Sequence, residues 1–273
     1  MASLLLGSVA GLSAGLFGIG GGLIIVPVLV LLFSHHGFAP ELVMIMSVAT
    51  SLATIICTSI ASVLSHHRLG AVAWPKVYRL IPGIVVGSAL GAIVADQMPK
   101  DLLRWVFIGY LSYAATHMAL ASKPKPGRAA ASRLMDSLAG VVTGGMSAII
   151  GIGGGTLIVP YLVYFQTPMR HAVAIASACG LPIAVASTVS YALLGQTATH
   201  LPSGSLGYIY LPSLFGIALT SVLTAPIGAK LANRLPAQRL KRYFSLLMFA
   251  MLAKLLWPYL VGFGHNLPNS WHW

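Results

Sequence analysis

Three consecutive glycines, Gly20, Gly21 and Gly22, stand inside an apolar run, and Gly153, Gly154 and Gly155 repeat them later in the chain. Their surroundings are nearly identical: residues 18–27 read GIGGGLIIVP and residues 151–160 read GIGGGTLIVP. Consecutive glycines break a helix and permit positive φ, so the chain can turn sharply there. Amides freed at such a turn are tolerated in an apolar setting only where they are buried in protein or line a wet cavity. At the start of the following helix, successive amides and the helix dipole make an anion-receptive end. The chemistry on offer is the binding of a small anion by backbone rather than by cationic side chains. Nucleotide phosphate fits poorly, because GIGGG lacks the Lys-Ser/Thr of a P-loop and follows no strand.

Hydroxyls follow each glycine segment. Ser47, Thr50 and Ser51 come after the first, and Ser177 with Cys179 after the second, at matching positions or one residue off. A hydroxyl donates to an oxyanion without adding charge. The competing use of each is a bond to its own helix carbonyl, and Cys179 serves equally well as a small apolar filler. Glu41, Asp96, Asp101 and Asp136 all fall at the ends of apolar runs, so no carboxylate stands at mid-membrane to relay protons. His35, His36, His66 and His67 fall in expected loops. His117 lies within a span, where proton carrying and plain packing both remain open. No Ser/His/Asp set, HExxH or CxxC spacing is present, so no enzyme, metal site or cofactor is expected. Cys57 and Cys179 both lie in apolar runs, which argues against a disulfide framework.

The elements that position these residues belong in a bilayer. Of 273 residues, 57% are hydrophobic and only 7% charged, against roughly 25% charged in an ordinary soluble domain. The formal charge of +12 suggests nucleic acid, but the bases cluster between apolar runs as the positive-inside rule expects of cytoplasmic loops. Those clusters are Arg68, Lys76 and Arg79; Lys123, Lys125, Arg128 and Arg133; and Lys230, Arg234, Arg239, Lys241 and Arg242. Nucleic acid is therefore not an expected partner. The first apolar stretch lacks a basic region before it and reads as mature structure rather than a signal peptide.

With about 20 residues per span, six candidates emerge: roughly 42–64, 80–96, 102–121, 171–194, 207–231 and 243–261. Two longer stretches, 3–33 and 135–165, carry the glycine breaks. The halves match beyond the tips. Gly7, Gly11 and Gly15 correspond to Gly140, Gly144 and Ala148, and Gly87, Gly91 and Ala95 to Ser221, Ala225 and Ala229. These small-residue series, with Gly83, read as faces that let helices approach closely. The chain is thus read as a duplication: repeat one over 1–122, a cytoplasmic linker over 123–133, and repeat two over 134–273.

Charge decides how the glycine stretches run. If 135–165 crossed once, the basic 230–242 loop would fall on the wrong side; if it enters and returns, every basic loop falls inside. The same rule puts both termini outside. Each half is then a glycine-broken hairpin or broken helix plus three transmembrane helices, an all-α polytopic membrane protein built of two inverted-topology repeats, as in many secondary transporters. Hairpin arms of about 14 residues reach roughly 21 Å, short of the approximately 30 Å hydrocarbon core. Trp257, Tyr259, Trp271 and Trp273 suit interface anchors.

At Gly15-Leu-Phe-Gly-Ile-Gly-Gly-Gly…Val26-Pro27, at Gly151-Ile-Gly-Gly-Gly…Val159-Pro160 and at Ala49-Thr50-Ser51, the chain resembles the TauE/SafE family of sulfite exporters over nearly its whole length. The resemblance implies a multi-pass bacterial inner-membrane permease whose substrates are sulfite, sulfoacetate and related sulfur-containing anions. It points to the two glycine tips and the Thr50-Ser51 region. Ala178-Cys179-Gly180 departs from the more usual Thr-Ser pair, which implies an asymmetric site. The expected function is a secondary transporter of small sulfur-containing anions, in which one repeat rocks against the other. Export needs least, because a potential negative inside favours anion exit by about 2.3 kcal/mol per charge per 100 mV. The alternatives are an anion channel or a coupled importer of an organosulfur anion. The expected partners are the small anionic substrate and the lipid bilayer; oligomeric state has no signal in the sequence. Gly20, Gly21, Gly22, Gly153, Gly154 and Gly155 would present amides, with Thr50, Ser51, Ser177 and Cys179 beside them. Arg170 would either attract the anion at the cytoplasmic mouth or serve as a plain positive-inside charge. Gly21→Val or Gly154→Val is expected to abolish transport without preventing membrane insertion.

Overall fold

The computed structural model describes Ser8 and residues 21–120, 131–232, 245–246 and 248–256. Gly20, the series Gly7, Gly11 and Gly15, the linker bases Lys123, Lys125 and Arg128, the bases Arg234, Arg239, Lys241 and Arg242, and the C-terminal aromatics lie outside the described residues, as do the side chains of His117 and Lys230.

Eight helices carry the names used below. They are α1 (Gly22–His35), α2 (Pro40–Arg68), α3 (Trp74–Gln97), α4 (Lys100–Leu120), α5 (Arg133–Ile150), α6 (Gly155–Tyr164), α7 (Met169–Leu194) and α8 (Leu211–Ala232); residues 248–256 are also helical. Local chemistry sets several boundaries. Pro40 and Pro75 occupy the first positions of α2 and α3, where a missing N–H costs nothing. The Ser132 hydroxyl caps α5 by accepting from the Met135 amide at 3.2 Å. Gly151, at φ 81°, ends α5 in the left-handed conformation, its amide and that of Ile152 both returning to the Ser147 carbonyl. Only glycine adopts that conformation without steric cost.

α2, α3 and the helical stretch Met169–Thr197 are long and apolar enough to cross a bilayer. α2 has 29 residues, about 43 Å at 1.5 Å per residue, so its last turn extends past a hydrocarbon core of about 30 Å. His66 and His67 therefore stand on a helix and not in a loop. Lys76 and Arg79, expected in the same loop, stand on α3. The apolar face of α3 that carries Val85, Val86, Leu90, Ile93 and Val94 is exposed on the protein, as suits a surface solvated by lipid.

The segment 133–164 doubles back. Tyr161, near the end of α6, donates from its hydroxyl to Asp136 Oδ1 in the first turn of α5 at 2.7 Å. The arms are unequal, 18 residues in α5 and 10 in α6, rather than about 14 each.

Order and packing recur along the chain. A short helix after a glycine break precedes long helices in α1–α2–α3 and again in α6–α7–α8. The third helix of each series packs on the second of the other, α3 on α7 and α8 on α2, while α2 and α7 pack on each other. α3 and α5 run side by side in the same direction at backbone contact. A Cβ at Gly83, Gly87 or Gly91 would overlap the backbone of Ser137, Val141 or Gly145, and one at Gly140 or Gly144 would overlap that of Leu80 or Ile84. These small-residue faces serve close packing, as read from their spacing.

One element has no counterpart among the expected spans. Residues 207–210, read as the start of a span, belong to a small antiparallel hairpin, Ser205–Leu206 paired with Ile209–Tyr210. Gly204 and Gly207 have positive φ there. A Cβ on Gly207 would overlap the Tyr191 and Ala192 carbonyls, so this glycine lets the hairpin lie directly on α7.

Candidate functional site

The two glycine tips meet. A Cβ on Gly22, the first residue of α1, would overlap the Gly151 carbonyl and come within 2.8 Å of Ile152 Cα. Gly151 in turn lies against Val26 and Val48. Ser51 closes the junction by donating its hydroxyl to the Gly151 carbonyl at 2.8 Å, a bond that joins residues 100 positions apart. All of Gly21, Gly22, Gly151, Gly153, Gly154 and Gly155 are buried.

The tips are not conformational copies. Gly21 has φ 77° and stands just before α1. At the second tip the left-handed residue is Gly151, whereas Gly154 has φ −60°. The sharp turn is therefore made by the glycine that ends α5, and the triplet that follows starts α6. Neither α1 nor α6 has a side-chain cap; the Ile24 and Leu157 amides of their first turns return to the Gly21 and Gly154 carbonyls, at 3.0 and 3.2 Å.

The hydroxyls divide into three groups. Ser47, Thr54 and Thr58 bond carbonyls of their own helix, Val43 at 2.7 Å, Ser51 at 2.6 Å and Ile55 at 3.1 Å. Thr50 and Ser51 do not. Ser51 reaches Gly151, and Thr50 Oγ1 accepts from the Tyr210 amide at 3.0 Å, tying the β-hairpin to α2. Ser177 forms the third group: it is 3% exposed and its Oγ has no partner. Cys179 is fully buried on α7, two residues further on. The tips and Ser51 are thus brought together, Thr50 is turned to the hairpin, and Ser177 stands on the facing helix.

Charge separates toward the two ends of the helices. At one end Arg170 donates to the Leu69 carbonyl at 3.3 Å, and His171 Nδ1 lies 2.8 Å from the Ala71 carbonyl. At this end too, Lys76 Nζ binds both oxygens of the fully buried Asp136 carboxylate, at 2.7 and 2.8 Å. With Arg68, Arg79 and Arg133 on the same ends, this is the basic face. At the other end Glu41, Asp96, Lys100 and Tyr208 surround a small cleft. The Tyr208 hydroxyl donates to Asp96 at 2.7 Å, and burial, reinforced by that carboxylate, raises its pKa.

Sequence reasoning missed three contacts made by tyrosines. Tyr110 of α4 bonds Thr156 beside the second tip, Tyr191 donates to the Ala148 carbonyl at 3.0 Å, and Tyr161 joins the Lys76–Asp136 pair. The available signal was tyrosine itself: inside an apolar span its hydroxyl needs a partner, although spacing does not say which. Among the described residues no group of three or more His, Cys, Asp and Glu could hold a metal ion.

Comparison with known proteins fits this arrangement. The family pattern described as sulfite exporter TauE/SafE matches residues 3–255. The chain belongs to the TauE/SafE family. A protein of Haemophilus influenzae named "Probable membrane transporter protein" is 35% identical over 91% of this chain and 94% of its own. One of Methanocaldococcus jannaschii, also named as a probable membrane transporter, is 27% identical over 91% and 92%. A third, from Bacillus subtilis and named likewise, is 26% identical over 85% and 89%. No solved structure matches the chain. As a TauE/SafE protein the chain is a membrane transporter and not an enzyme.

Proposed function

We propose that the chain is a secondary transporter of small sulfur-containing anions, sulfite or organosulfonates, working by alternating access and in the direction of export. The observation that carries this reading is the meeting of the tips, Gly22 against Gly151 and Ile152, with uncapped helix starts on both sides. A sulfite or sulfonate head offers three oxygens to backbone amides and hydroxyls, and no cation has to be desolvated to hold it. Gly20, Gly21, Gly22, Gly153, Gly154 and Gly155 present amides in this scheme; Ser177 supplies an unpartnered hydroxyl, Ser51 would have to turn its hydroxyl from Gly151 to the anion, and Thr50 and Cys179 line the same helices.

The two halves, 1–122 and 134–273, are inverted-topology repeats joined by a linker over 123–133. The recurring order of helices and the exchange of α3 and α8 between halves support this reading. The doubled-back 133–164 segment supports the odd number of crossings that inversion requires. The basic face lies in the cytoplasm of a bacterial cell and both termini lie outside, in keeping with the positive-inside rule.

The test is sulfite flux from loaded proteoliposomes of the purified protein, with and without an imposed potential. Saturable flux that follows the potential without added cation is the expected result. Flux that rises linearly through the millimolar range, with single-channel currents, refutes the transporter in favour of a channel. Uptake that needs a cation gradient refutes the direction.

A further inference from the structure

The Ser177 hydroxyl has a neighbour that the tips do not account for. α2 and α7 run antiparallel, and two contacts fix their register. A Cβ on Gly180 would stand 3.0 Å from Ser59 Oγ, and Arg170 reaches the Leu69 carbonyl. One turn from the Ser59–Gly180 level toward the basic face, the same register sets Ser62 of α2 opposite Ser177 of α7. Ser62 is 7% exposed and Ser177 3% exposed, and neither hydroxyl has a hydrogen-bond partner. Two buried, unsatisfied hydroxyls that the register sets at one level are costly in an apolar seam unless something fills their bonding capacity.

The next turn of α2 carries His66, whose Nε2 is also buried without a partner. Arg170, at the start of α7, lies close enough to act on that ring electrostatically. One of the five N–H donors of its guanidinium is used on Leu69. Every group assembled here can donate: two hydroxyls, a guanidinium and an imidazole nitrogen in the appropriate tautomer. Among the described residues no carboxylate is paired with them, in contrast to Lys76 across the same face, which Asp136 neutralises. Ser51, Thr54, Thr58, Ser62 and His66 fall on one stripe of α2, spaced three or four residues apart. The stripe begins at the Ser51–Gly151 junction and ends at the basic face.

We propose that Ser62, Ser177, His66 and Arg170 form a receiving site for the transported oxyanion on the basic side of the tips, and that the α2 stripe leads from it to Ser51 and Gly151. The proposal rests on the reading of the protein as an anion transporter and adds a second station to it. Arg170 draws the anion in, and the two serine hydroxyls take over its oxygens as water is left behind. Thr54 and Thr58, bonded to their own helix, line the way without binding tightly.

The test is calorimetric titration of the purified protein with sulfite and with sulfoacetate, together with flux from the basic face. Ser62→Ala removes a hydroxyl that bonds nothing in the fold, so the variant keeps its melting temperature. Its affinity for the anion is expected to fall about five- to tenfold, the worth of one hydrogen bond. The half-saturating concentration rises to match while the maximal rate is retained. Arg170→Gln weakens binding further and removes most of its salt dependence, and Arg170→Lys retains that dependence. If the parent binds anion and both Ser62→Ala and Arg170→Gln bind it as tightly, the receiving site is refuted and the tip site stands. A parent that binds and carries neither anion refutes the transport reading and the receiving site together.

Discussion

Replacing Gly22 with alanine adds one methyl group at the junction of the two tips, and the structure sets its consequence. The new Cβ would overlap the Gly151 carbonyl and stand 2.8 Å from Ile152 Cα, where ordinary contact begins at 3.4 Å. The carbonyl overlap is the deeper of the two, so the tips must separate by about 1 Å to admit it. Both obstacles are backbone, so no rotamer change relieves them. Trimming Ile55, whose Cδ1 is 3.2 Å from the same point, to valine leaves the defect in place. Overpacking of this kind costs about 1–3 kcal/mol. The Ser51 bond to Gly151, now 2.8 Å, lengthens as the second tip recoils, which adds about 1 kcal/mol. Function falls further than stability, since displacement of binding groups by about 1 Å costs on the order of a hundredfold where geometry sets the rate. The assay is sulfite flux in proteoliposomes beside the melting temperature of the same preparation. Gly109→Ala is the control, because nothing lies within 4 Å of its Cβ position on α4 and a helical Gly→Ala change gains up to about 1 kcal/mol. Gly22→Ala with a lowered melting temperature and flux down by a factor of about a hundred is expected. Flux within twofold of the parent, in protein that still melts cooperatively, would refute the assignment of the tip junction as the binding site.

Gly21→Ala forces a Cβ into φ 77° at about 1–2 kcal/mol, and a matching fall in thermal stability checks it. Gly154→Ala meets only the Cδ1 ends of Ile158 and Ile183, so it retains near-parental stability and flux, unlike Gly154→Val. Lys76→Met leaves the buried Asp136 carboxylate unpaired and is expected to cost about 3–5 kcal/mol; Lys76→Met with Asp136→Leu recovers most of it, read by fluorescence-detected size exclusion after heating. Gly87→Val drives α3 off the Val141 backbone and abolishes the monodisperse peak. Cysteines placed at the exposed positions Arg79 and Asp101 react with an impermeant thiol reagent from opposite sides of the membrane, and labelling from one side overturns the topology.

What the sequence made legible follows from how local each cause is. A glycine triplet in an apolar run has few explanations other than a break: the second break stands between α5 and α6, and at the first triplet α1 starts directly after Gly21. The Gly83–Gly91 face was legible because only small residues at a spacing of four let two backbones touch. Which glycine touches what was not legible: Gly22 and Gly151 meet, and nothing in either segment alone prefers them to Gly21 and Gly154. Ser51 and Thr50 were read as equivalent, yet one bonds the opposite tip and the other the β-hairpin. The chain partner of each is 100 or more residues away. His66 and His67 were placed in a loop because basic and polar residues usually mark one, but a helix of 29 residues outruns the bilayer and carries them beyond it. Asp136 was counted as a terminal charge. Its burial arises from Lys76 and Tyr161, which reach it from two other helices.

In the proposed alternating-access scheme, the packing of α3 on α5 and of α8 on α2 decides which interface can move. If each sequence half rocked against the other as a unit, α3 would have to slide along α5, and α8 along α2. The first of these interfaces has no room to slide. Gly83, Gly87 and Gly91 each seat a carbonyl or Cα of α5, and Gly140 and Gly144 return the contact, so a shift of one residue drives side chains into backbone. In that scheme α3 and α5 would move together, although the proposed repeats divide them, and Lys76–Asp136 pins them at the basic end. The seam that would be left to open in this scheme is the one between α2 and α7, where the Ser59 side chain rather than a backbone meets Gly180. Motion there would change the distance between Ser51 and Gly151 and between Ser62 and Ser177 while leaving the glycine-locked pair intact. In the proposed scheme the same helices that hold the tips in place line the surface along which the anion would pass them.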